Sequence, residues 1–296
     1  MTLRAPARAL SFAPVHHDGA CTQHILPTNG DLQLTALGHV HHWIATPTTC
    51  GVRRSALENV MHDTAMEYGS LFFKIYLKNS QDIRIVEVGS QDVSGSLRSV
   101  APAKNNYIGV DFMKAPGVDI VLDDPYHLPF EDESVDVVVT SSCFEHSEFF
   151  WLVFNEILRI LKPSGLLYIN APSNGAVHRY PVDCWRFYPD SGLALQNWGR
   201  RSGYNCALVE SFTGLRKADI WNDYVAVFVK DENHISVHND RMQRHTNRYL
   251  NGMVYGEKTI SNPAALINDK GGAVMKLRSL FLRPLRSLRK SFRKRL

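Results

Sequence analysis

The chain has 296 residues, 44% hydrophobic and 21% charged, which excludes wholesale disorder, a collagen-like fibre and a coiled-coil rod and allows one large domain or two small ones. Its net charge of +4 belongs to the tail: residues 276–296 carry nine Lys or Arg and no acid, and the other residues hold 24 basic against 29 acidic groups, a balance of −5. A mildly acidic body gives no charge-based reason to expect nucleic-acid binding.

No run approaches the roughly 18 apolar residues that a membrane span requires. Five cysteines without a CxxC pair argue against a disulfide framework or a structural zinc site. At the N-terminus, Arg4, Pro6, Arg8 and Pro14 interrupt the apolar stretch a signal peptide would need, so a cytoplasmic location is expected. Residues 1–54 read as an unassigned appendage, rich in Pro, Gly and Thr and holding six of the thirteen histidines. Leu32, Leu34 and Ala36 alternate with polar neighbours and suit one short strand. His39, His41 and His42 have no carboxylate or Cys at ligand spacing and are read as loop or sheet edge.

From Ser55 the texture changes. Ser55 and Glu58 form a capping box, and Leu57, Val60, Met61, Ala65, Tyr68, Phe72 and Ile75 follow as a helical stripe. Strands are predicted at 83–88, 107–110, 118–122, 135–140, 166–170, 207–211 and 224–230, with helices near 96–101, 148–161 and 191–200. Lys162-Pro163-Ser164-Gly165 is a helix stop signal. Near-continuous apolar strands alternating with helices predict a doubly wound α/β domain over 55–230, built on a mostly parallel, seven-stranded sheet. Residues 231–272 read as a linker or peripheral segment. In the tail, Val274, Leu277, Phe281, Leu285, Leu288, Phe292 and Leu296 make one apolar stripe opposite a mainly basic face, with Pro284 as a kink. This basic C-terminal helix, 273–296, can lie on an anionic membrane surface such as the inner leaflet; the alternatives are a helix packed on the domain or on a partner subunit, or a disordered basic tail that binds RNA non-specifically.

Open parallel sheets bind ligands beyond the carboxyl ends of their strands. After the first strand comes Glu87-Val88-Gly89-Ser90-Gln91, with Gln91 where a dinucleotide fingerprint has its second glycine, which disfavours a dehydrogenase. Asp111 ends the second strand, where a carboxylate can accept both hydroxyls of a ribose, and Asp123 and Asp124 follow the third. Acids at three successive strand ends describe a nucleoside bearing an ammonium and no phosphate, as in S-adenosylmethionine.

With these residues in view, the stretch Ile85–Ala171 resembles the class I S-adenosylmethionine-dependent methyltransferases. The ordered pattern comprises Asp124-Pro125-Tyr126-His127-Leu128-Pro129-Phe130, Val135-Asp136-Val137-Val138, Glu145-His146 and Leu161-Lys162-Pro163-Ser164-Gly165. Val135 replaces the usual Phe, and Ser164 the usual first Gly. Gly89-Ser90-Gln91-Asp92-Val93, Arg98 and the run from His178 to Phe187 resemble a bacterial subgroup associated with polysaccharide biosynthesis.

The resemblance implies a Rossmann-like methyltransferase fold and S-adenosyl-L-methionine as cofactor. It places Glu87 near the methionine amino end, Gly89 and Ser90 along the methionine, Asp111 on the ribose and Phe112 against the adenine face. Asp124, with Asp123 as backup, would meet the adenine amine, and Ser141 would offer backbone to the cofactor. Residues 172–189 form an acceptor-side insertion in which Tyr180, Trp185 and Arg186 are candidate substrate contacts. His146, His178 and Asp183 are candidate catalytic groups, a histidine acting as base toward an acceptor hydroxyl. Glu145-His146 is also similar to the E-x-x-E-H metal motif of ubiquinone-pathway O-methyltransferases; Ser142 stands in place of its first Glu, which leaves Glu145 and His146 as two candidate ligands for a divalent metal that is possible but not expected.

The function expected is O-methylation of a sugar or another small glycan-pathway acceptor. The alternatives are a nucleic-acid or protein methyltransferase and a non-catalytic scaffold that retains the fold. A base N-methyltransferase would favour a D/N-P-P-Y motif where this chain has Thr140-Ser141-Ser142-Cys143.

Overall fold

Apolar residues three and four apart make the first described element a helix, α1 (Asp63–Tyr76), which buries Ala65, Tyr68, Phe72 and Phe73. The computed structural model describes residues 63–93, 95–217 and 220–264. The capping box at Ser55, the strand around Leu34, the N-terminal histidines and the basic tail lie outside the described residues.

After α1 come β1 (Arg84–Val88), β2 (Asn106–Asp111), β3 (Ile120–Val121) and β4 (Val135–Ser141). Helix α2 (Phe150–Ile160) leads to β5 (Leu161–Pro172), and α3 (Ser191–Arg201) to β6 (Ala207–Gly214), β7 (Asp223–Val229) and β8 (Tyr249–Val254). The segment expected as a helix near residues 96–101 is one 3-10 turn, Leu97–Val100, capped by Ser96, whose hydroxyl accepts from the Arg98 N–H.

The eight strands form one sheet in the order β3-β2-β1-β4-β5-β7-β6-β8. This corrects the expected seven-stranded, mostly parallel sheet. Pairings among β1 to β5 are parallel, whereas β5–β7, β6–β7 and β6–β8 are antiparallel. The reason is local: residues 215–222 between β6 and β7 are too few for a parallel crossover, which takes about a dozen or more. Strand β8 comes from the segment read as linker or periphery. Glu210 on β6, fully buried, ties that segment down by accepting from Met242 N (2.6 Å), Gln243 N (3.2 Å) and the Tyr76 hydroxyl (2.5 Å).

Both faces of the sheet are covered. Tyr68 and Phe72 of α1 and Leu97 pack on Ile85, Val137, Val139, Tyr168 and Val225. Phe154, Ile157 and Leu158 of α2 and Leu195 of α3 pack on Val86, Val138, Leu167 and Phe228 on the other side. Helix α2 stops at Ile160, where the stop signal predicts, and Leu161 already bridges to Val135 before a bulge, which lengthens β5 beyond its expected start. Among the described residues no helix is long and apolar enough to cross a membrane.

Candidate active site

Strand register lines up the predicted ligand groups. Val88 pairs with Val110 and with Thr140, so the next residues, Gly89, Asp111 and Ser141, stand abreast at the carboxyl ends of β1, β2 and β4. Ser141 in turn pairs with Asn170 on β5. Gly89 holds φ +79°, and a side chain there would put Cβ 2.5 Å from Cys143 Cβ and 2.7 Å from its Sγ. Glycine lets the chain turn away from the strand this close to the loop after β4. The Gly89 and Ser90 N–H groups both donate to the Val110 carbonyl (3.0 and 3.2 Å), binding the turn to β2.

Glu87 is 2% exposed, and its Oε2 accepts from the Tyr107 hydroxyl (2.9 Å) and the Ser96 hydroxyl (3.3 Å). Burial pushes its carboxyl up to about 7, against the opposing pull of those hydrogen bonds and of Arg98. Asp111 is also buried, and its Oδ1 accepts from Gln91 Nε2 (3.1 Å) and Met113 N (3.0 Å). Gln91, which breaks the dinucleotide fingerprint, therefore orients the carboxylate expected to hold the ribose. Phe112 is exposed beside it. Asp123 and Asp124 are exposed on the loop after β3, and Asp124 Oδ1 accepts from Tyr126 N (2.8 Å), capping its own turn.

That loop is held from a distance. Arg159 on α2 donates to the carbonyls of Leu128 (2.9 Å) and Phe130 (2.8 Å), and to Glu156 and Asp132. Glu156 accepts from Leu128 N (3.0 Å). Arg98 plays the same part for the β2–β3 connection, pairing with Asp119, whose Oδ2 also takes the Gly109 N–H. Sequence reasoning named neither clamp as such; an Arg three residues after a Glu on a helix was the only local trace of the first.

The implied cofactor can be tested against this edge. Ser90 Oγ, Ser141 Oγ and Ser173 Oγ are buried at the carboxyl ends of β1, β4 and β5 without a hydrogen-bond partner among the described residues. Buried hydroxyls of this kind want hydrogen bonds, and a polar ligand at the strand ends supplies them. With the close turn at Gly89 and the preset carboxylate of Asp111, the residues fit S-adenosylmethionine.

The acceptor-side groups gather where the insertion folds against the turn after β4. Cys184 N (2.7 Å) and Trp185 N (3.2 Å) donate to the Glu145 carbonyl, Trp185 Nε1 to the Ser147 carbonyl (2.9 Å), and His146 Nδ1 lies 2.5 Å from the Val182 carbonyl. His178 meets His146 edge to face at 4.9 Å between ring centroids, and meets Trp221 at the same distance. Burial keeps His178 below the ordinary histidine range despite the nearby Asp183 carboxylate, so the ring is neutral near pH 7. Glu145 is fully buried and pushed up to about 8 by that burial.

Asp183 holds the insertion together. Its carboxylate accepts from His178 N (2.7 Å) and from both Arg186 Nη groups (2.5 and 2.7 Å), and the Arg186 hydrogen bonds hold it well below the usual carboxylate range. Arg186 also donates to the Ala176 and Trp185 carbonyls and lies over the Trp221 ring at 5.6 Å. Tyr180 and Trp185 remain exposed, Trp185 against Phe150 and Trp151. The structure thus brings His146 and His178 together, leaves Tyr180 and Trp185 open to a ligand, and commits Asp183 and Arg186 to each other.

An open α/β sheet with buried polar groups at its carboxyl edge and a polar-aromatic insertion beside it is a common setting for a small-molecule ligand. Comparison with known proteins makes the class specific: residues 80–169 match the family model described as "Methyltransferase domain". The match covers 90 of the 296 residues and takes in β1 to β4, α2 and most of β5. The chain is 37% identical over 118 residues to phthiotriol/phenolphthiotriol dimycocerosates methyltransferase 1 of Mycobacterium ulcerans, covering 34% of this chain and 42% of the relative. It is 29% identical over 161 residues to the ubiquinone/menaquinone biosynthesis C-methyltransferase of Bartonella henselae, covering 53% and 58%. The chain therefore spans about half the length of these curated relatives. Among solved structures, the Burkholderia thailandensis 1,6-didemethyltoxoflavin-N1-methyltransferase, with bound S-adenosylhomocysteine, aligns at TM-score 0.47 and 14% identity over 57% of this chain and 80% of that one.

Proposed function

We propose that the protein transfers a methyl group from S-adenosylmethionine to a small-molecule acceptor held at the 172–189 insertion. The observation that carries this reading is the alignment of Gly89, Asp111 and Ser141 at one sheet edge, with β4 leading from Ser141 into the Glu145–His146 turn that the insertion covers. When bound, the cofactor supplies an electrophilic methyl group on a sulfonium. Asp111 accepts the ribose hydroxyls, the turn at Gly89 and Ser90 follows the methionine, Ser141 offers its backbone, and Phe112 and Asp124 bracket the adenine. Neutral His178, or His146 beside it, takes the proton of an acceptor hydroxyl, while Asp183 and Arg186 hold the loop in place.

The acceptor we favour is a hydroxyl of a sugar or related glycan-pathway molecule, which suits the exposed aromatic faces of Tyr180 and Trp185 and a histidine base. Carbon methylation is the second reading. It is favoured by the Bartonella relative's name and by the exposed apolar ring of Phe149, which meets Trp151, itself in contact with Trp185. Carbon-13 methyl transfer distinguishes the two, because O-methyl and C-methyl carbons resonate apart. We further propose that the tail 273–296 attaches the enzyme to an anionic membrane surface.

The cofactor assignment is tested by calorimetry with S-adenosylmethionine, S-adenosylhomocysteine and NAD. Asp111→Ala should weaken the first two by about 1.5–3 kcal/mol, the scale of charged hydrogen bonds lost to two hydroxyls. Unchanged affinity, or binding of NAD alone, refutes the assignment.

A further inference from the structure

We infer that Glu145, His146 and His178 form a binding site for a divalent first-row transition-metal ion, Zn²⁺ being the natural occupant by ligand chemistry. One ring nitrogen from each histidine and one carboxylate oxygen lie within 4.8 Å of one another, the one such trio found among the described residues. A tetrahedral ion with bonds of about 2.0–2.2 Å separates its ligands by about 3.4 Å. The His146 Nε2 to Glu145 Oε1 distance is already 3.8 Å, so side-chain adjustments of about an ångström complete the set.

The surroundings prepare the ligand atoms. His146 Nδ1 faces the Val182 carbonyl at 2.5 Å, which places the ring proton on Nδ1 and the lone pair on Nε2, toward Glu145. His178 Nδ1 lies 3.4 Å from both the Ala176 carbonyl and Asp183 Oδ2, which favours the same tautomer. Metal-bound histidines are held in this way, by an oxygen on the nitrogen that does not ligate. Independently, Glu145 Oε2 is buried, its side chain 1% exposed, and has no hydrogen-bond partner among the described residues. A buried Glu145 carboxyl with one oxygen unpartnered and the other 3.8 Å from His146 Nε2 is what a cation would satisfy.

Two nitrogen donors and one carboxylate suit Zn²⁺, Co²⁺ or Ni²⁺ and not Mg²⁺ or Ca²⁺, which favour all-oxygen sites. The trio differs from the E-x-x-E-H arrangement: Ser142 holds the first-Glu position, and the third ligand comes from the insertion. A bound ion would therefore cross-link the 172–189 insertion to the turn after β4. Metal binding here needs neither cofactor nor acceptor and is tested without them, but it engages the two histidines offered above as the base, so an ion held there would take that role from them.

The test is calorimetry of the metal-stripped full chain with Zn²⁺ and with Mg²⁺, and visible absorption with Co²⁺. Because six histidines lie in residues 1–54, a triple variant, His39→Ala, His41→Ala and His42→Ala, is titrated in parallel. Expected are Zn²⁺ binding at one ion per chain retained in the triple variant, no comparable Mg²⁺ binding, and at least tenfold weaker Zn²⁺ binding in both Glu145→Gln and His178→Ala. The near-isosteric Glu145→Gln keeps the result readable if the histidine variant misfolds. Unchanged Zn²⁺ affinity in Glu145→Gln, or loss of all binding in the triple variant, overturns the site.

Discussion

Glu87 should make the protein less stable as pH rises, and Glu87→Gln should remove that effect. The folded carboxyl titrates near 7 against an ordinary value of 4.5, because burial outweighs the hydrogen bonds from Tyr107 and Ser96. Between these values the folded state keeps a proton that the unfolded state has released. The contribution is therefore fully present below pH 4.5 and is lost as pH rises through about 7. At about 1.4 kcal/mol per pH unit the window amounts to about 3 kcal/mol. Glutamine keeps the shape and can accept the Tyr107 hydrogen bond, but does not titrate. Urea unfolding of both proteins without cofactor, from pH 4.5 to 8, isolates the term, since the other buried acids and histidines are common to both. The stability difference should move in favour of the Glu87→Gln variant by about 3 kcal/mol across that range. A difference flat with pH would show that Glu87 is already ionised in the folded protein and that the burial argument fails.

Gly89→Ala should destabilise the fold by about 2–4 kcal/mol, combining a left-handed backbone penalty with overpacking against Cys143. Denaturant unfolding measures it, and a change below about 0.5 kcal/mol, the scale of neutral surface substitutions, would contradict the turn geometry. For the tail, the full chain should sediment with anionic vesicles and not with neutral ones, and a chain ending at Gly272 should sediment with neither. Equal binding by the full and shortened chains to anionic vesicles would end the membrane proposal.

The sequence by itself determined the alternation of strands and helices, the helix stop before Gly165 and the carboxyl-end positions of Glu87, Gly89, Asp111 and Ser141. Those features are local: apolar period marks the elements, and strand length puts each group at a strand end. Tertiary structure alone decided what these groups touch. Glu87 meets Tyr107 twenty residues on, Asp111 is oriented by Gln91, and His146 faces a histidine from an insertion 32 residues later. Asp183, a catalytic candidate by type, proves to be the clamp on Arg186 and on the His178 backbone. Strand β8 escaped sequence reading because Asn251, at φ +53°, and Gly252 interrupt its pattern, while the pairing that makes it a strand comes from β6. Period and strand ends are written in neighbouring residues, but the partner of a buried acid or an edge strand is settled only when the sheet register brings distant segments together.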